Sequence, residues 1–289
     1  MHGCLRRWFL LLFVPLLAAG CEGAAPAPVE VAPAPAADAG REFDPATAGT
    51  IHGRVMWAGE LPHVPPVTAR AHPFDGSGGE EVVCENPNAP IIGPEGGVRH
   101  AVVYLRGVDP KRGRPWDHPP VRVEQADYRL RIRQGEIDSA VGFVRRGDAV
   151  EMVSTQPVFH VLHAGGAAYF SLAFPDPDQP LARRLDRKGV VELSSAAGYY
   201  WMRGHLLVDD HPYYARTDAE GRFTLPQVPP GSYQVVCWLP SWEVERHERS
   251  PDTGQVVRWF FRPALEKVQA VTLKAGETCR VEFTISAGP

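Results

Sequence analysis

Between positions 50 and 286 apolar side chains recur at every second position in short runs, and glycine or proline cuts each run. The clearest case lies near the end of the chain. Cys279, Val281, Phe283 and Ile285 alternate there with Arg280, Glu282 and Thr284. A period of two puts one set of side chains on a buried sheet face and the other in water. Comparable runs cover 50–57, 99–106, 128–132, 149–154, 158–163, 190–193, 204–208, 222–225, 232–238, 256–261, 267–273 and 278–286. They are rich in Val, Tyr, Phe and Thr, and turn residues separate them. The one helix-like stretch, around Leu181 to Arg187, is short and has no apolar stripe. The 29 prolines and 28 glycines favour many short strands over helices. The pattern predicts an all-β chain, and about 240 folded residues suit two β-sandwiches better than one.

Two stretches at the start break the pattern. Residues 22–48 are Ala/Pro-rich with few large apolar side chains, which predicts a disordered, semi-stiff tether. Before it, Arg6 and Arg7 precede an apolar run from Trp8 to Leu17, and Ala18, Ala19 and Gly20 lead into Cys21. The run is shorter than the ~20 residues a membrane span needs. This arrangement resembles the lipobox of bacterial lipoproteins. The resemblance implies a signal peptide over 1–20, lipidation at Cys21, and attachment to the membrane of the cell envelope through the N-terminal lipid. Glu22, rather than an aspartate, follows the cysteine, which points to the outer membrane. The chain carries a net charge of −4 and no concentrated basic segment, so a nucleic-acid partner is not expected. The expected organisation is a leader over 1–20, a tether over 21–48, one sandwich over 49–203 and a second over 204–287.

The segment from His211 to Leu239 reads HPYYARTDAEGRFTLPQVPPGSYQVVCWL. Asp218 and Gly221 bracket a tight turn, Phe223 and Leu225 open a strand, Pro229-Pro230-Gly231 turn again, and Tyr233, Val235 and Cys237 continue. Two turns bracketing a strand at this spacing resemble the carboxypeptidase regulatory-like domain, a transthyretin-like (prealbumin-like) sandwich. That resemblance implies a non-catalytic structural or binding module with a carbohydrate-binding-like fold. Residues 49–66 resemble the opening strand of the same domain, which leaves open which sandwich this strand joins. Alternation turns Cys237 and Cys279 toward an apolar interior. They form a disulfide there, or they and Cys84 remain separate buried thiols.

The middle of the chain carries the candidate chemistry. Residues 147–163 (GDAVEMVSTQPVFHVLH) and 190–202 (VVELSSAAGYYWM) resemble the cupredoxin-like domains of secreted bacterial proteins. A blue-copper centre needs two imidazoles, a thiolate and a weak axial thioether. The resemblance puts His160 at the first ligand position and Met202 at the axial one. It also puts Tyr199 where the second imidazole belongs and Ala196 where the thiolate belongs. It therefore implies a degenerate copper site and no cofactor. The alternative is a copper-binding or electron-transfer protein with an altered site built on His160 and Met202. In strand register His160 shares a face with Val158 and Leu162, which equally suits a hydrogen-bonded core histidine.

The function these readings favour is a non-catalytic envelope lipoprotein whose ligand is a polysaccharide or an envelope protein. The aromatic groups Tyr199-Tyr200-Trp201, Trp238, Trp242 and Trp259-Phe260-Phe261 suit sugar stacking or packing between domains. Asp209-Asp210-His211 is either a strand end or, if a cleft gathers the side chains, the acid–base cluster of a hydrolase.

Overall fold

The computed structural model describes residues 42–70, 81–252 and 254–287. Cys21, the expected leader and residues 22–41 of the expected tether lie outside them. Every element among the described residues is a strand. In chain order they are β1 (Gly49–Trp57), β2 (Val67–Arg70), β3 (Glu81–Cys84), β4 (Ile91–Ile92), β5 (Val98–Arg99), β6 (Val102–Arg106), β7 (Val121–Ala126) and β8 (Arg129–Gln134). There follow β9 (Ile137–Ser139), β10 (Val141–Arg145), β11 (Ala149–Ser154), β12 (His160–Gly166), β13 (Phe170–Phe174), β14 (Leu181–Arg184), β15 (Gly189–Ser195) and β16 (Arg203–Asp209). The last are β17 (Tyr214–Arg216), β18 (Arg222–Val228), β19 (Gly231–Leu239), β20 (Val244–Arg249), β21 (Val256–Phe261), β22 (Leu265–Leu273) and β23 (Thr278–Ile285).

The all-β expectation holds, and the strands make two sandwiches. In the first, the sheet β10-β16-β15-β12-β13 faces the sheet β14-β11-β7-β8-β9. Val123, Ile132, Met152, Leu162, Leu193 and Leu206 fill the space between them. In the second, β18-β1-β23 faces β17-β6-β19-β22 across Ile51, Val55, Leu105, Phe223, Val235 and Phe283. Each such side chain contributes roughly 1.5–3 kcal/mol by leaving water.

The chain is shared between the sandwiches differently from the boundary expected at 203/204. β1 pairs antiparallel with β18 and parallel with β23, so the opening strand joins the second sandwich. β6 also lies there, between β17 and β19. β16, expected in the second sandwich, is bonded to β15 and β10 of the first. Gly53 permits the close approach of β1, because a β-carbon there would run into the Val281 carbonyl. The turn motif holds the other side. Asp218 Oδ1 accepts the Glu220 and Arg222 amides at 3.0 and 2.7 Å, Gly221 takes a φ of 76°, and the Gly221 carbonyl accepts the Val55 amide at 2.8 Å.

Other expectations change in detail. Leu181 to Arg184, in the helix-like stretch, form the edge strand β14 on β11, because that sheet supplies their backbone bonds. Residues 42–48, assigned to the tether, sit on the folded body. The Glu42 amide donates to Lys111 O at 2.8 Å, and the Gly276 amide donates to Thr47 O at 3.0 Å. Cys237 and Cys279 form no disulfide; with Cys84 they are free thiols. Cys237 pairs with Lys267, whereas the chain leaves the same sheet at Leu273 to enter β23 and reach Cys279. At ~3.4 Å per residue that offset along β22 is on the order of 20 Å, well beyond the 4.4–6.8 Å Cα span of a disulfide.

A third cluster joins the sandwiches: Val102, Tyr214 and Trp238 from the second meet Val141, Phe143 and Leu207 from the first. Arg216 crosses this seam. Its Nη2 donates to Gln134 Oε1 at 2.7 Å and to the Val141 carbonyl, and its guanidinium lies 4.1 Å over the Phe143 ring. Burial pulls its pKa down to about 10.

Candidate functional site

His160 opens β12 and is fully buried. Its Nε2 lies 3.2 Å from Gln156 Oε1, an oxygen that also accepts the Tyr128 amide at 3.0 Å. The imidazole packs on Tyr199 at 5.0 Å between centroids, and Tyr199 packs on Tyr128 at 5.4 Å. Met202 is buried in the same core, below the turn in which its amide donates to Tyr199 O at 2.9 Å. His163, three residues on, takes the opposite face, where its Nδ1 meets Ser171 Oγ at 3.1 Å.

This donor set does not fit a blue-copper centre. The loop between β15 and β16 brings a phenol ring against His160, and an amide already engages the imidazole. Among the described residues no three His, Cys, Asp or Glu side chains group as metal ligands. Among the described residues Cys84 is the thiol of this core, and nothing in the sequence places it there. It ends β3 and enters the same core as Ala197, Tyr199, Trp201 and Met202. Burial pushes its thiol up, and burial together with the Cys84 charge raises the neighbouring Tyr200 phenol. Cys84 also lines a cavity of about 550 Å³ with Tyr128, Arg129, Trp201 and Arg203. The short hairpin β2–β3 that carries it there has no pattern of its own in the sequence.

Asp209, Asp210 and His211 do come together. His211 Nε2 is 3.3 Å from Asp209 Oδ2, Tyr214 donates its hydroxyl to the same oxygen at 2.7 Å, and Lys188 Nζ bridges Asp209 and Asp210 at 2.8 and 2.9 Å. Arg146 Nε holds Asp210 at 2.7 Å. Burial works to raise the Asp209 pKa, but His211, Lys188 and Tyr214 outweigh it and hold the carboxyl below its usual range. Burial pushes the Tyr214 phenol far up, and Asp209 adds to the effect. Every acidic oxygen named here is engaged by a neighbouring donor. The cluster acts as a clasp beside the seam, where Tyr214 packs on Phe143.

A different arrangement suits ligand binding. A cleft of about 570 Å³ opens between residues 62–67 and the hairpin β20–β21. Its lining includes His63, Asn86, Trp242, Glu243, His247 and Arg262. Trp242 packs on Trp57 at 5.6 Å, and Trp259 packs on Tyr200 at 4.9 Å. Asn86 Nδ2 donates to Trp242 O at 2.8 Å and Asn88 Nδ2 to Ser241 O at 2.9 Å, which fastens this wall to the loop after β3. Arg262 pairs with Glu243 at 3.0 Å across the rim. Trp242 and Trp259 are buried and form the floor of the cleft, while the amide, carboxylate, guanidinium and imidazoles on its wall can meet the hydroxyls of a sugar. Trp242 and Trp259 stood out in the sequence, but Trp238 went elsewhere, to the seam against His205. His63 and Asn86 carried no signal, since both lie in irregular chain.

Comparison with known proteins gives two kinds of likeness. Among solved structures, the reduced state of an amicyanin mutant is 17% identical over 31% of this chain and 81% of its own, with a TM-score of 0.25. A purple cupredoxin from Nitrosopumilus maritimus is 12% identical over 30% of this chain and 97% of its own, also at 0.25. Oxidised plastocyanin from Dryopteris crassirhizoma is 17% identical over 30% of this chain and 98% of its own, at 0.23. No curated protein matches the chain. Residues 183–251 match the family model described as polysaccharide lyase family 4, domain II.

Proposed function

We propose that the protein is a non-catalytic, polysaccharide-binding lipoprotein of the bacterial cell envelope, tethered through Cys21, with the cleft beside β20–β21 as its binding site. One observation carries the reading. The segment that matches a domain of a polysaccharide lyase family, 183–251, contributes Trp242, Glu243, Val244 and His247 to the cleft wall. The matched segment therefore supplies the buried indole floor and two of the polar groups, Glu243 and His247, that a saccharide would use. The resemblance of the Asp218–Gly221 turn region to a regulatory-like sandwich supports a binding role over a catalytic one. So does the use of Asp209 and His211 as a clasp.

Affinity electrophoresis tests the proposal. The purified protein is run through gels containing neutral and acidic polysaccharides, beside the variants His63→Ala and Arg262→Ala. His63 is exposed and Arg262 sits at the rim, so neither is needed for the core. At least one polysaccharide should retard the wild type, and each variant should bind about tenfold more weakly, a loss of ~1.4 kcal/mol. Equal retardation of all three proteins would move the site elsewhere, and no retardation by any polysaccharide would end the reading.

A further inference from the structure

The two faces of the β20–β21 hairpin differ. Register puts His247 opposite Trp259 and, on the other face, Arg246 opposite Phe260 and Glu248 opposite Arg258. The first pair faces the cleft. On the second face the Arg246 guanidinium lies 3.4 Å from the Phe260 ring centroid and that of Arg258 lies 5.4 Å from it. Arg203, paired with Glu192 at 3.9 Å, lies over Phe261 at 5.2 Å. Neither Arg246 nor Arg258 takes part in an ion pair among the described residues. Burial, and then the charges of Arg258 and Arg203, depress the pKa of His163. Tyr169 stands edge-on to His163 at 5.3 Å with 85% of its surface exposed.

We infer that this outer face of the hairpin binds the anionic groups, carboxylate or sulfate, of an acidic polysaccharide through Arg246 and Arg258, and that the exposed Tyr169 ring serves the same saccharide as a stacking surface. The inference rests on the polysaccharide reading and gives it a ligand class. A guanidinium presents a planar fork that matches carboxylate and sulfate oxygens. Stacking on Phe260 holds two such forks in place before any ligand arrives, so less side-chain entropy is lost on binding. Glu192, Glu248 and Glu245, which occupies the bulge before Arg246, are acids close to the patch. Glu192 is already set against Arg203, and Glu248 leaves two arginines to one carboxylate on its face. The chain as a whole is acidic at −4, so a polyanion needs a local cationic patch to bind at all. The cleft lies on the reverse of the same two strands, so one saccharide chain can reach both.

The test uses a matched pair of probes, dextran and dextran sulfate, with alginate as a polyuronate, in affinity electrophoresis of the full protein. The double variant Arg246→Ala/Arg258→Ala is compared with wild type and with Tyr169→Ala, whose exposed ring makes a folding defect implausible; melting temperatures confirm the fold. Dextran sulfate or alginate should retard the wild type. The double variant should bind at least about tenfold more weakly, Tyr169→Ala should bind a few-fold more weakly, and added salt should erode binding. Equal binding by the wild type and the double variant would overturn the inference. Binding of neutral polysaccharides only would also overturn it while leaving the broader reading intact. If nothing binds, neutral or acidic, both fall together.

Discussion

His205 makes the protein sensitive to mild acid by a mechanism that can be isolated. It lies in β16, wholly buried at the seam, with its ring edge-on to Trp238 at 5.3 Å. Burial, and then the charge of Arg203, lowers its pKa from 6.5 to about 3. The folded protein therefore keeps this imidazole neutral down to about pH 3, whereas the unfolded chain takes up a proton below about 6.5. The unfolded state binds more protons throughout that window, so stability is fully present above about pH 6.5 and is lost as pH falls. At ~1.4 kcal/mol per pH unit, moving from pH 7 to pH 5 costs about 2 kcal/mol from this one residue. Burial depresses His118 and His211 as well, so the whole protein loses more. The difference between wild type and His205→Leu extracts the single contribution. Urea unfolding followed by tryptophan fluorescence at pH 7, 6 and 5 should show the variant losing about 2 kcal/mol less than wild type over the range. Equal losses would mean that His205 is charged in the fold or reached by water, and would refute the argument.

Other predictions follow from single contacts. Gly53→Ala pushes a methyl into the Val281 carbonyl between β1 and β23 and should cost about 2–3 kcal/mol in denaturant unfolding. Arg216→Leu leaves Gln134 Oε1 and the Val141 carbonyl without this donor at the seam; a drop of ~2–3 kcal/mol is expected, again by denaturation. Without reductant, Cys84, Cys237 and Cys279 should all react with a thiol reagent after unfolding. In the folded protein half-buried Cys279 should react first and Cys237, whose pKa burial pushes up to about 12, last. Copper titration should produce no intense blue thiolate absorption, because a phenol, Tyr199, and an amide, Gln156, occupy the surroundings of the His160 imidazole.

Much of this architecture is readable from side-chain period, and the unread part has physical causes. The strands β1 and β23 come directly from local alternation, with buried positions at every second residue. β10 does not, because its residues are buried on both faces: Val144 enters the first core, while Val141 and Phe143 enter the seam. A strand covered on both sides has no polar set to reveal it. The Asp218–Gly221 turn is legible because its bonds are local, but the partner it locks, β1, lies at the other end of the chain. No local pattern encodes that pairing. The candidate metal position shows the same limit. The sequence gives the face of His160, but only the fold brings Tyr199 onto the ring and Cys84 into the neighbouring core. The cleft combines Trp242, visible as an aromatic, with His63 and Asn86 from loops whose positions are set by tertiary contacts alone.

The cleft is tested most directly by its own indoles. Trp242 and Trp259 line it, so titration of the protein with polysaccharide fragments should change tryptophan emission saturably, and His63→Ala or Arg262→Ala should shift the midpoint about tenfold higher. A flat titration with every neutral and acidic fragment, on protein that unfolds cooperatively, would contradict a saccharide-binding role.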